Sequence, residues 1–373
     1  MSMLSGPPAK VKSSRRRRAE AFAALTLLWQ VSTLERVRSC RHWSVRPSGS
    51  ATLRRSTGAD GRPVAGLAGL ASCGSVWSCP VCSRRIAAER QAEVSTAVDR
   101  WQQRGGVVAL LTLTMRHRRG QPLDVLWQRL SRAWHAVVAG RSWTSDVQRF
   151  RLGGWIRCVE VTHGRNGWHV HVHALLFLRD PAVDLRSLQA RLCGRWSAAV
   201  ERLGGSALPE YAVDLRILRD VSRFDYFSKQ VYPSSWQAGL ELVRHDLKRG
   251  RRRSRTPFEV LADFMRTGDV EDLAVWREWE RASKGRRQLL WSKALRQILD
   301  LGRERTDDEI AATETGTALD DMVVLPRETV SAVCYCWSTL LDLAEDGGLR
   351  AVTVWLDARG YAWLPPWQPS RVA

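Results

Sequence analysis

Lysine is scarce in this chain. Only Lys10, Lys12, Lys229, Lys248, Lys284 and Lys293 stand among its 58 basic residues. Tyrosine is scarcer, at positions 211, 226, 232, 335 and 361. No apolar run approaches the ~20 residues that cross a bilayer, which speaks against a membrane-spanning chain. No G-x-x-x-x-G-K-[ST] occurs, so the P-loop of an ATPase is missing. Eight cysteines in 373 residues are too few for a disulfide scaffold. The arginine-rich start, Arg15 to Arg18, leads into an apolar stretch broken by Glu20 and Gln30 with no small-residue cleavage site. It reads as a basic arm entering a helix rather than a secretion signal, and a cytoplasmic location is expected.

What is abundant is positive charge. The formal net charge is +20, which calls for an acidic partner, most simply nucleic acid. The charge is uneven. From Thr306 to Ala373, 11 acidic residues face 4 arginines, leaving +27 on the first 305 residues, where a nucleic-acid surface belongs.

Pattern and punctuation divide the chain into a basic arm (1–36), a cysteine-rich segment with a helix (37–104), a strand-and-helix domain (105–244), a basic extension (245–305) and an acidic unit (306–373). Val107 to Thr114, Trp155 to Thr162, Gly167 to Phe177 and Tyr211 to Leu218 have strand character. Pro122–Ala139, Asp184–Leu203 and Val221–Val231 read as helices. One strand pair is joined by a tight turn. That favours an α+β fold with an antiparallel sheet over a doubly wound parallel one. Residues 245–256 form a basic run with loop character.

His169, His171 and His173 stand at every second position of a strand and share one face, with Val170, Val172 and Ala174 on the other. Imidazole is a common ligand of divalent transition ions. A solvent-facing polar strand is the plain alternative. The Arg165-Asn166 turn between Gly164 and Gly167 marks a hairpin. With that turn at the centre, residues whose numbers sum to 331 stand opposite. Glu160 then meets His171 on the histidine face, unless a one-residue slip reverses it. Two imidazoles and a carboxylate leave open positions for a catalytic cation. A surface carboxylate paired with arginine is the other reading of Glu160.

Tyr226 and Lys229 are neighbours on a helix at i, i+3. A phenol with a pKa of about 10 is a poor nucleophile. A nearby ammonium and a cation polarising a phosphate make it competent. A core tyrosine beside an exposed lysine fits the same spacing. Cys79-x-x-Cys82, with Cys73 just upstream and Cys40 available, can supply four thiolates to a structural zinc. A redox C-x-x-C is the alternative, disfavoured by the third nearby cysteine. Cys158, Cys193, Cys334 and Cys336 read as buried or free thiols.

Several of these blocks together resemble rolling-circle plasmid replication initiators of the HUH endonuclease superfamily, the type found on small actinobacterial plasmids. They are Gly69 to Cys82, Leu111-Thr112-Leu113-Thr114, Glu160 to Phe177, Tyr226-Phe227-Ser228-Lys229, and Gly285 to Ser292. The resemblance spans about residues 36–300. It implies a five-stranded antiparallel, ferredoxin-like sheet with flanking helices. It implies Mg²⁺ or Mn²⁺ on His171 and His173 with Glu160 third, and His169 assisting or contacting substrate. Tyr226 would attack a phosphodiester of origin DNA, single-stranded or extruded as a hairpin. A 5′-phosphotyrosine link and a 3′-OH primer would result, used with a host helicase and polymerase. Some such initiators carry a Glu four residues before the tyrosine to end the cycle. Here that position is Ser222, with Asp220 and Asp225 nearby, which leaves termination by hydrolysis without its usual residue. A single-tyrosine transposase or relaxase shares the chemistry, and a non-catalytic zinc-dependent DNA-binding protein shares the charge.

Overall fold

The computed structural model describes residues 9–58, 61–218, 254–313 and 320–366, with side chains from Ser14 onward. Tyr226, Lys229, Ser222 and most of the basic run 245–256 lie outside the described residues. No helix among them is long and apolar enough to cross a membrane. The chain forms two compact units, residues 1–86 with 306–373, and residues 87–305.

The first unit holds a three-stranded antiparallel sheet of β1 (Ala51–Thr57), β2 (Pro63–Ala68) and β8 (Asp320–Leu325), in the order β2-β1-β8. The helix Ala9–Val31 buries Ala21, Ala24, Leu25 and Leu28. Its basic residues meet the acidic residues of the helix Trp337–Asp357. Arg15 donates to Asp346 at 2.5 Å, and Arg18 to Glu345 at 2.6 Å and to Asp342. Part of the acidic excess read in the tail is thus neutralised by the arginine run of the arm.

The second unit is built on a five-stranded antiparallel sheet, as expected. Its strands are β3 (Val107–Thr114), β4 (Leu152–Gly164), β5 (Gly167–Leu178), β6 (Val213–Ile217) and β7 (Leu289–Trp291), in the order β6-β3-β5-β4-β7. The β4–β5 hairpin has the register read from the sequence: Glu160 opposite His171, Thr162 opposite His169, and Cys158 opposite His173. Gly164 and Gly167 flank the turn, and Gly167 adopts φ 81°, which a side chain would disfavour.

Alternation assigns the two faces. Residues Val108, Leu110, Ile156, Leu175 and Phe177 lie under Val94, Val98 and Trp101 of the helix Pro80–Gln103. Trp101 donates its indole N–H to Leu178 O at 3.0 Å, so its one polar atom is satisfied inside the core. Further along these strands, beyond that apolar core, the same face carries Thr112, Thr114, Glu160 and the histidines. On the opposite face the helix Leu123–Val137 buries Leu126, Trp127, Leu130 and Trp134 at helical spacing. Trp134 meets Trp155 of β4 edge-on at 5.0 Å.

Local sequence sets the other elements. Asp184 caps the helix Leu185–Arg202 by accepting from Ser187 N at 3.0 Å. Thr256 and Glu259 form a reciprocal capping box at the helix Pro257–Thr267, with Pro257 in the first turn. Glu278, on the helix Val270–Ser283, accepts from Trp168 Nε1 at 2.9 Å and from Leu123 N at 2.8 Å. That carboxylate ties the hairpin to the helix Leu123–Val137. Arg255 exchanges backbone hydrogen bonds with His163 at 2.7 and 2.8 Å, and its guanidinium reaches Asp263 and Asp272. The end of the basic run is therefore fixed to the hairpin.

Candidate metal centres

The histidine face is built by three strands. β3 stands beside β5 with Thr112 opposite His173 and Thr114 opposite His171. Each threonine hydroxyl lies 3.1 Å from the Nδ1 of its histidine. A hydroxyl on Nδ1 fixes the ring plane and leaves Nε2 to face outward, the arrangement that orients a metal-ligating imidazole. Both threonines belong to the Leu111-Thr112-Leu113-Thr114 strand segment, whose sequence alone does not declare a role for their hydroxyls. Their spacing of two, shared with the histidines, was the available signal.

Glu160 sits across from His171, yet its Oε2 lies 2.6 Å from Nε2 of His173. His171 Nε2 lies 3.1 Å from His169 Nδ1. The donors thus stand as two hydrogen-bonded pairs rather than converged on one point. His117 extends the row, its ring stacked on His169 at 4.4 Å. It was not among the sequence candidates. Next to it a cavity of about 310 Å³ opens between Arg116, His117, Asn166, His169 and Tyr211.

The electrostatics favour neutral imidazoles. Burial pushes His171 down to about 4, against the attraction of Glu160 and with help from His173. Burial takes His169 to about 3, aided by repulsion from His171 and His117. Glu160 is held below the usual carboxylate range. Its burial opposes this, but the hydrogen bond from His173 and the three neighbouring imidazoles outweigh it. At neutral pH His169 and His171 are therefore neutral beside the Glu160 carboxylate, residue types that could ligate a divalent cation.

The cysteine cluster lies in the first unit. Cys40, Cys73, Cys79 and Cys82 are all buried, with sulfurs within 4.8 Å of one another. Cys40 and Cys82 are 3.6 Å apart, Cys73 and Cys82 3.7 Å, and Cys79 and Cys40 3.7 Å. No pair is bonded as a disulfide. Four sulfurs ~2.3 Å from a central zinc form a tetrahedron with edges of about 3.8 Å, so the spacing fits a closed structural zinc site. Cys73 is pushed up by its hydrogen bond with Cys40 and Cys79 by burial, while S–H donation from Cys40 and its neighbours pulls Cys82 down. Four thiols packed this closely cannot all ionise without a cation among them. Of the other cysteines, Cys158 and Cys334 are buried, and Cys193 and Cys336 half-buried.

Residues 67–183, which include Cys73, Cys79, Cys82 and the whole histidine face, match the family model described as "Replication protein". The chain is 30% identical to "Protein rep" of Streptomyces lividans, covering 64% of this chain and 66% of that protein. It is 34% identical to "Neomycin resistance protein" of Streptomyces cyanogenus over 31% of this chain and 33% of the relative. The chain thus spans just under two thirds of the first relative's length and a third of the second's. No solved structure matches it.

Proposed function

We propose, from the match of residues 67–183 to the family model described as "Replication protein", that the chain initiates rolling-circle replication of a plasmid by nicking origin DNA. The observation that carries this reading is the threonine-braced pair His171 and His173 with Glu160 on one sheet face. These three residues would hold Mg²⁺ or Mn²⁺, which supplies polarisation of a phosphodiester. His169 and His117 line the approach to the neighbouring cavity.

The nucleophile in this proposal is Tyr226. Its phenolic oxygen bonds to phosphorus, and the bond from phosphorus to the 3′-oxygen breaks. The 3′-oxygen leaves with a proton as a primer, and the 5′-phosphate stays on tyrosine. Lys229, three residues on in the sequence, would lower the phenol's pKa. The bond energy is kept in the phosphotyrosine, which agrees with a sequence that has no P-loop. Zinc on Cys40, Cys73, Cys79 and Cys82 would be structural. The partners in this reading are single-stranded or extruded origin DNA and the host helicase and polymerase.

The test is incubation with a single-stranded origin oligonucleotide and Mn²⁺. Wild type should yield a covalent protein–DNA adduct that Tyr226→Phe lacks. Cleavage by the Phe variant at the wild-type rate would remove the nucleophile assignment. DNA binding without any adduct in wild type would leave a non-catalytic zinc-dependent binder.

A further inference from the structure

The loop after β3, Arg116-His117-Arg118-Arg119-Gly120, carries three arginines. Its backbone is held at both ends. Arg116 N donates to Ser206 O at 2.8 Å, and Arg118 N donates to Gln121 Oε1 at 2.7 Å. Gly120 turns the chain with φ 82°. Arg116 and Arg118 are exposed, and among the described residues no carboxylate pairs with either. Arg15, Arg18, Arg191, Arg195 and Arg255, by contrast, each meet an acid.

Arg129, on the helix Leu123–Val137, joins them. Arg116, Arg118 and Arg129 line one cavity of about 240 Å³. Arg129 Nε donates to Leu203 O at 3.0 Å, which fixes the guanidinium. Among the described residues its two Nη atoms have no hydrogen-bond partner. A Cβ at Gly205 would fall 2.7 Å from Arg129 Cδ, so that glycine makes the room the arginine stem occupies. No carboxylate lines this cavity. Glu201 and Glu210, the acids nearest in sequence to Gly205, form no ion pair with a described residue. Three like charges around one cavity repel one another, and an anion relieves them. The guanidinium fork matches the oxygens of a phosphate.

Arg116 also lines the cavity of about 310 Å³ beside the histidine face, together with His169 and Tyr211. Tyr211 is 76% exposed and makes no ring contact with a described residue, so its face is open to stacking. Free phosphate has no use for that ring, and an acidic peptide has no base to lay on it. A DNA strand offers a phosphate to the arginines and a base to the tyrosine in succession. We propose that Arg116, Arg118 and Arg129 clamp a backbone phosphate of single-stranded DNA, with an adjoining base stacked on Tyr211. The proposal rests on the replication reading in taking DNA as the polymer. These residues touch no reacting atom. They set which stretch of the strand lies over the histidine face.

The test measures binding of the full chain to a single-stranded thymidine octanucleotide without divalent metal, so that nothing is cut. An uncharged methylphosphonate octanucleotide, inorganic phosphate and poly-glutamate serve for comparison. Wild type should bind the charged strand at least ~10-fold more tightly than any of the three, since charge and stacking act together. Arg116→Ala and Arg118→Ala should each weaken binding. Each should also lower the slope of log affinity against log salt by about 0.7, the loss of one phosphate contact on a single strand. Arg118→Lys should restore the slope. Tyr211→Ala should cost at least ~5-fold at unchanged slope, and Tyr211→Phe should bind like wild type. Arg119, exposed in the same loop, lines neither cavity. A loss for Arg119→Ala as large as that for Arg118→Ala would mean diffuse charge rather than a clamp and overturn the proposal. So would equal binding of inorganic phosphate or tighter binding of poly-glutamate. The two readings fail separately. A slope that falls in the arginine variants, with no adduct formed in Mn²⁺, removes the nicking alone. An adduct in Mn²⁺, with the slope unchanged in those variants, removes the clamp alone.

Discussion

Glu160 stands opposite His171 in the hairpin register but closes its carboxylate on Nε2 of His173, 2.6 Å away. The diagonal contact leaves His171 Nε2 to His169 and sets the row in two pairs. A cation between His171 and His173 would draw Glu160 toward it and break the His169 contact. Glu160→Gln keeps the shape and removes the charge. It should reduce Mn²⁺ affinity by at least ~10–100-fold, the scale seen for supporting groups around metals, as measured by calorimetry. Unchanged affinity would take Glu160 out of the donor set.

Thr112 and Thr114 act on the same rings from behind. Valine has nearly the same shape and suits a strand, so Thr112→Val and Thr114→Val should fold. Each would leave one Nδ1 without its hydroxyl partner. Mn²⁺ affinity should fall by roughly 10–100-fold for either variant, and serine at either position should restore most of it. A valine pair that binds Mn²⁺ like wild type would reduce these threonines to packing.

The imidazoles carry a pH signature in the metal-free protein. His171 is held down to about 4 and His169 to about 3, in both cases chiefly by burial. An unfolded histidine titrates near 6.5. Between those values the unfolded chain binds more protons, so the contribution of these residues to stability is complete above about pH 6.5 and declines as pH falls toward 4. Histidine ring resonances followed by NMR from pH 7 to 3 should show His171 and His169 titrating last. Titration of both near 6.5 would mean that the face is open to water.

How much of this was legible depended on range. The histidine row and the 331 register followed from a period of two and an Asn-Gly turn, both local signals. Cys73, Cys79 and Cys82 stand close in sequence, and Cys40 could be added because few cysteines compete. The pairing of β1 with β8 joins Ala51 to Leu325, a separation that no periodicity reports. β7 is three residues long and takes its place by pairing with Ile156, Arg157 and Cys158. Arg157 read as one arginine of many. Only the sheet and the helix Leu123–Val137 together place it among tryptophans, because a strand position acquires its neighbours from elements distant in the chain.

The cysteine cluster makes the last prediction, and it separates the two units. Its four sulfurs draw together Cys40, Cys73 and Cys79 ahead of the helix Pro80–Gln103, and Cys82 in that helix's first turn, all within residues 1–86. In this unit the metal would be part of folding rather than of chemistry. The full-length protein should carry about one tightly held zinc, four thiolates making a closed site. Stripping it with a chelator should make those thiols reactive to a disulfide reagent. It should also cost at least ~4 kcal/mol, the stabilisation an ion gives at a thousand times its dissociation constant. The loss should be local. Hydrogen exchange should rise in residues 1–86 and 306–373, while β3, β4 and β5 keep their protection. Cys79→Ser should reproduce the effect, and Cys193→Ser, a half-buried thiol apart from the cluster, should not. Full protection of residues 1–86 in zinc-free protein would leave the four cysteines as a packed thiol core and nothing more.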